Sequence, residues 1–198
     1  MTEQTLLFTE EGGSVGVGAH VCAMGESAEG VLKTLAQTFA VGLRNGERCA
    51  YIGPERSVDE VRRLLAGSEV DVADAEGRGA LIFVTDRRPL LKGGAQFDPL
   101  HLLQVIKDLF GATLEAGYLG LRLSADVPWI ARDVPGGDRI LEFEAMADEV
   151  VNVPGTPLLA ICQYRLSDLE PEDSLRILER HPLTLVGERI FVNDRYAG

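Results

Sequence analysis

Short apolar runs alternate with longer segments of helical spacing from His20 almost to the end of the chain, and few architectures satisfy that alternation. His20 to Met24, Cys49 to Ile52, Ala80 to Thr85, Leu119 to Ser124 and Leu158 to Tyr164 read as strands. Ala28 to Leu43 sets Val31, Leu32, Leu35, Phe39 and Leu43 on one helical face. Ser57 and Glu60 form a capping-box pattern before Val61, Leu64 and Leu65. Asp98-Pro99 opens a helix with Leu102, Leu103, Ile106, Phe110 and Leu114 on one side, stopping at Gly117. Asp138 to Val151 and Glu172 to Glu179 are further helices, and Leu183 to Val186 with Arg189 to Val192 forms a hairpin turning at Gly187-Glu188. Runs such as LLAIC are apolar on both faces, as strands covered on both sides are. The expected fold is therefore α/β: three layers, a mostly parallel central sheet with helices on both faces, and a C-terminal β-hairpin. Residues 1–17, polar and then rich in glycine, read as a flexible N-terminal arm with a short strand at Leu6 to Thr9, and 18–198 as a single domain. In such sheets ligands sit outside the carboxyl ends of the strands. The loops after Met24, Gly53, Thr85, Ser124 and Tyr164 should share that rim.

Charge narrows the function. Nineteen Lys and Arg against thirty-one Asp and Glu leave −12 over 198 residues, a balance repelled by phosphate backbones, so no direct nucleic-acid partner is expected. No apolar run is long enough to span a membrane, and MTEQTLLFTEEGG lacks the basic and apolar regions of a secretory signal. Cys22, Cys49 and Cys162 are odd in number and far apart, which argues for reduced thiols and a cytoplasmic location.

The first strand–loop–helix unit can be tested as a phosphate loop. That chemistry needs backbone N–H groups from glycines, a Lys for the outer phosphates and a Ser or Thr hydroxyl for Mg²⁺. Here the loop is Gly25-Glu26-Ser27-Ala28-Glu29-Gly30, followed by Val31-Leu32 in place of Lys-Ser/Thr. Glu26 and Glu29 would meet phosphates with like charge, and Lys33 lies beyond the required position. An ordinary strand-to-helix turn capped by Ser27 accounts for the segment, and ATP hydrolysis is not expected.

His20-Val-Cys-Ala-Met, a helix, then Gly42-Leu-Arg-Asn-Gly-Glu-Arg-Cys-Ala-Tyr-Ile resembles the opening of the MEDS family, sensory domains named for methanogens, methylotrophs and the repressor DcmR. Gly117-Tyr-Leu-Gly-Leu-Arg122, Trp129, Leu141-Glu-Phe-Glu144, Ile161-Cys-Gln-Tyr164, His181-Pro182 and Asn193 follow in the family's order, so the resemblance spans about residues 18–196. Phe143 stands where Tyr is usual and Asp148 where Asn is common. The resemblance implies a RecA/KaiC-like fold with a degenerate phosphate loop. It also implies a non-enzymatic sensory role, proposed in the family for small hydrocarbon derivatives, exerted beside DNA-binding, kinase or anti-sigma-type modules.

His20 and Cys22 share one strand face, as do Cys162 and Tyr164, so the four converge if their strands are neighbours. Packing, a pocket lining and a soft metal site are the competing readings. An HxC with a distant CxY matches no zinc spacing, so no metal ligands and no cofactor are assigned. Arg122 needs a carboxylate, from Glu144 or Glu142, or at the rim an anionic ligand. Trp129 is either a pocket wall or a loop anchor, and His181 a cap on the carbonyls of the preceding helix. The candidate ligand-binding set is His20, Cys22, Arg122, Trp129, Glu144, Cys162 and Tyr164, with no catalytic residue. The loop Asp86 to Phe97 and that around Trp129 are candidate lids. The partners implied are a small-molecule ligand and a regulatory protein: a transcription factor, sigma-factor regulator or histidine kinase. A second copy of the chain is also compatible with a signalling domain. A ligand-independent interaction module and a residual nucleotide-binding protein are the alternatives.

Overall fold

A computed structural model describes residues 5–7, 14–16, 18–25, 28–186 and 189–196. Nine strands run β1 (Thr5–Leu7), β2 (Ser14–Gly16), β3 (Ala19–Gly25), β4 (Arg48–Ile52), β5 (Leu81–Val84), β6 (Leu121–Asp126), β7 (Leu158–Arg165), β8 (Leu183–Val186) and β9 (Arg189–Val192) among the described residues. Among the same residues seven α-helices join them: α1 (Ala28–Arg44), α2 (Glu55–Ala66), α3 (Val72–Gly77), α4 (Pro99–Glu115), α5 (Val127–Ala131), α6 (Ile140–Val151) and α7 (Pro171–Leu178). β1 and β2 pair antiparallel by themselves, inside the segment expected to be an arm. The remaining strands form one sheet in the order β5-β4-β6-β7-β3-β8-β9, parallel throughout except for the closing β8–β9 hairpin. Its turn at Gly187-Glu188, and Glu26 and Ser27 of the phosphate-loop segment, lie outside the described residues.

Strand alternation sorts the core into two halves. Val21, Cys49, Tyr51, Leu159 and Ile161 face α1, α2 and α3, whereas Cys22, Met24, Ala50, Leu121, Leu123, Ala160, Cys162 and Tyr164 face α4 to α7. Three layers result, with the strand ends after β3, β4, β5, β6 and β7 on a single rim, as the pattern of the chain requires.

Local chemistry sets the helix boundaries. Asp98 accepts a hydrogen bond from the His101 backbone N–H at 3.0 Å and Pro99 fills the first turn, so α4 begins where expected. Its end is Gly117, whose φ of +85° suits a residue without a Cβ. The expected Ser57 cap is corrected: α2 starts at Glu55 behind Pro54, with no side-chain cap, and Ser57 lies within the helix. Proline already fixes the backbone at the entry, so the helix needs no later start.

Candidate functional site

The site is built on the α4–α7 side of the sheet, where β3 and β7 lie side by side with Cys22 in register with Cys162 and Met24 with Tyr164. His20, Cys22, Cys162 and Tyr164 therefore do converge on one face. His20 is fully buried there and β8, on its other side, brings the end of α7 close. Helix α6 crosses this face with Phe143, Glu144, Ala147, Asp148 and Val151 turned inward, a helical spacing that places two carboxylates one turn apart. Glu144 and Asp148 then flank His20. Its Nε2 lies 3.3 Å from Glu144 Oε2 and its Nδ1 3.2 Å from Asp148 Oδ1.

Cys162 Sγ sits 3.4 Å from His20 Nε2 and 3.3 Å from Glu144 Oε2. The Tyr164 hydroxyl donates to the other Glu144 oxygen, and the Tyr196 hydroxyl to Asp148. His181 completes the group. Its Nδ1 caps the Ile177 carbonyl at 2.8 Å, as expected of a histidine at that helix end. The opposite ring nitrogen turns into the cluster, 3.4 Å from Glu144 Oε2, without making a hydrogen bond. The two imidazoles stack with ring centres 4.1 Å apart.

Burial governs the electrostatics. It would raise the Glu144 carboxyl, but His181 and His20 beside it hold it well below the usual carboxylate range. Burial would likewise depress His20, and its hydrogen bonds to Asp148 and Glu144 outweigh that and raise it. Desolvation, aided by the positive charge of His20, lowers His181. The Cys162 thiol and Tyr164 phenol are pushed far up by burial and by the Glu144 charge.

Next to this polar cluster lies a largely enclosed, almost wholly apolar cavity of about 20 Å³. Leu102, Leu103 and Ile106 of α4, Val127 and Ile130 of α5, Phe143 and Ala147 of α6, and Ala125 and Ala160 of the sheet line it. His20 and Cys162 form its polar end.

Three expectations are corrected. Arg122 pairs with Glu47, not with Glu144 or Glu142: Nε donates to Oε2 at 2.5 Å, Nη2 to Oε1 at 3.1 Å, and Nη1 to the Thr38 carbonyl at 2.7 Å. As the second residue of β6 it points to the α1 side at the strand's amino end, opposite the cluster and away from the rim. Gly42 makes room for it, since a Cβ there would come within 2.7 Å of the guanidinium stem. Arg122 is thus a structural ion pair, buried at the end of the strand opposite the rim where an anion would enter. Trp129 belongs to α5, half-buried against the core, and Val127 and Ile130 rather than Trp129 itself line the cavity. The loop from Asp86 to Phe97 is pinned by buried Leu90, Leu91 and Phe97, which leaves it poorly suited to act as a lid. Sequence reasoning left Asp148 and His181 out of the site, although the spacing of Glu144 and Asp148 on one helix face is visible in the sequence.

The mostly parallel sheet sandwiched by helices, its strands ending on one rim, has a RecA/KaiC-like α/β fold. Similar solved structures agree on the fold alone, since their identities are low. A KaiC-like protein from the archaeon Pyrococcus horikoshii OT3 aligns with TM-score 0.60 at 18% identity, over 87% of this chain and 73% of its own. The flagellar accessory protein FlaH from Methanocaldococcus jannaschii gives 0.57 at 14%, over 90% and 77%. An ATPase of the type III secretion system of pathogenic bacteria gives 0.57 at 15%, over 88% and 53%. No curated protein matches the chain by sequence. The family model of MEDS, the MEthanogen/methylotroph, DcmR Sensory domain, matches residues 19–182, and the chain belongs to that family.

Proposed function

We propose that the chain is a non-enzymatic sensory module that admits a small, weakly polar molecule to the cavity between the sheet and α4–α6. A regulatory protein partner, such as a transcription factor, sigma-factor regulator or histidine kinase, reads the outcome. The observation carrying this reading is the cavity itself: largely enclosed, apolar and ending on His20 and Cys162. A dry apolar cavity takes up small hydrophobic guests without displacing ordered water. At about 20 Å³ this one suits a guest of very few heavy atoms, in keeping with the hydrocarbon derivatives proposed for the family. The guest would touch α6 through Phe143 and Ala147, and signalling follows if it favours one packing of α6 over another.

Screening small halogenated and oxygenated hydrocarbons by thermal shift is the direct test. Ala160→Leu, which fills the cavity from the sheet, is expected to abolish any shift that the parent protein shows; a shift that survives it places the guest elsewhere. Catalysis of triphosphate hydrolysis is not part of this reading. Val31 and Leu32, at the positions where Lys-Ser/Thr would serve a phosphate loop, are buried in the apolar core. With Mg²⁺ and ATP, phosphate release by the purified chain is expected to equal the buffer rate, and steady turnover would refute that expectation.

A further inference from the structure

We infer that His20 Nε2, Glu144 Oε2, Cys162 Sγ and His181 Nε2 form a tetrahedral binding site for one divalent transition-metal ion, with a donor set suited to Zn²⁺. These four atoms lie within 4.8 Å of one another, and all four residues are buried. Around a zinc ion with bonds of about 2.0–2.3 Å, tetrahedral ligand atoms stand about 3.3–3.6 Å apart. Four of the six edges match: 3.3 Å from His20 to Glu144, 3.4 Å from His181 to Glu144, 3.4 Å from Cys162 to His20 and 3.3 Å from Cys162 to Glu144, and the two from His181 to His20 and Cys162 lie within 4.8 Å.

The surroundings orient each donor inward. A hydrogen on His20 Nδ1 is taken by Asp148, and one on His181 Nδ1 by the Ile177 carbonyl, so each ring presents the Nε2 lone pair to the centre. A histidine held from behind by a carboxylate is the usual outer-shell arrangement of a metal ligand. Tyr164 occupies the far oxygen of Glu144 and leaves Oε2 facing the other donors. A self-sufficient hydrogen-bond cluster is the competing account, and His181 argues against it. Its buried Nε2 has no hydrogen-bond partner although it stands 3.4 Å from Glu144 Oε2. A cation between the two would give that nitrogen a bond which the protein alone does not supply. Loading releases the Cys162 thiol proton and any Nε2 proton to solvent, leaving Zn²⁺ balanced by one thiolate and one carboxylate.

This inference stands on coordination geometry and is independent of whether the neighbouring cavity binds a guest. The test uses the whole chain, stripped with chelator under a thiol-free reductant and titrated with Co²⁺ in the absence of any hydrocarbon. We expect one equivalent of cobalt to give the visible bands of a tetrahedral site together with a thiolate-to-cobalt charge-transfer band, both removed by Zn²⁺. Cys162→Ala should abolish the charge-transfer band, whereas Cys49→Ala, on the opposite face, should leave it intact. His181→Gln should weaken binding at least a hundredfold and Asp148→Asn about ten- to a hundredfold. Zinc at about a hundred times its Kd should raise the parent Tm by about 5–10 °C. No tetrahedral spectrum and no zinc-dependent Tm in the parent protein overturns the inference, and so does a cobalt spectrum unchanged by both Cys162→Ala and His181→Gln. If Cys162→Ala does not fold, the parent spectrum and His181→Gln decide.

Discussion

Arg122→Met is expected to destabilise the fold by about 3–5 kcal/mol, the usual cost of removing one partner of a buried pair. The guanidinium is fully buried and makes three hydrogen bonds, two of them to Glu47. Methionine matches much of its stem but none of its charge, so Glu47 stays behind, almost wholly enclosed beneath α1. Because total stability of a domain is typically about 5–15 kcal/mol, urea unfolding should show a large fall in midpoint. Adding Glu47→Leu should restore most of the loss, since replacing both members of such a pair by apolar groups is often neutral or better. A single variant as stable as the parent would mean that water reaches Glu47.

Phe97→Ala is expected to cost a similar amount, about 3–5 kcal/mol, by the transfer and cavity terms of a large core truncation. Phe97 is fully buried and meets Phe143 edge to face, with ring centres 6.3 Å apart. Its backbone N–H donates to the Pro135 carbonyl at 2.9 Å, so one residue fastens both the end of the Asp86–Phe97 loop and the segment leading to α6. Hydrogen exchange separates the two consequences. Faster exchange at Lys92, whose N–H donates to the Gln96 carbonyl, would report a released loop, and faster exchange in α6 a loosened cavity wall. A loop that stays protected, with a stability loss under 1 kcal/mol, would show that Leu90 and Leu91 suffice to anchor it.

Much of the fold follows from periodicity, and the reasons for the exceptions are physical. A seven-residue strand or a 17-residue helix repeats its pattern often enough to be recognised, and α1, α4, β3 and β7 fall within a residue or two of their expected limits. Helices α3 and α5, with 6 and 5 residues, offer barely one turn of pattern and were not visible. The site is harder. The convergence of His20 and Cys162 depends on β3 and β7 being neighbours, and sheet order is not written in any local segment. Arg122 shows the cost of a small boundary error: its strand runs from 121 to 126 rather than 119 to 124, which moves it from the carboxyl end to the amino end. Its partner Glu47 belongs to the stretch Arg44-Asn45-Gly46-Glu47, which reads as a turn. That His181 turns its other ring nitrogen into the cluster had no local sign, because a capping histidine spends one ring nitrogen and the fold decides what meets the other.

The pairing of β3 with β7 and β8 has a consequence for assembly. The first strand of the large sheet finds both neighbours only after most of the polypeptide has been made, and His20 reaches Cys162 across a separation of 142 residues. Contacts between such distant stretches are slow to form. Until they do, β3 lacks both of its neighbours, and the cluster around His20 has not yet come together.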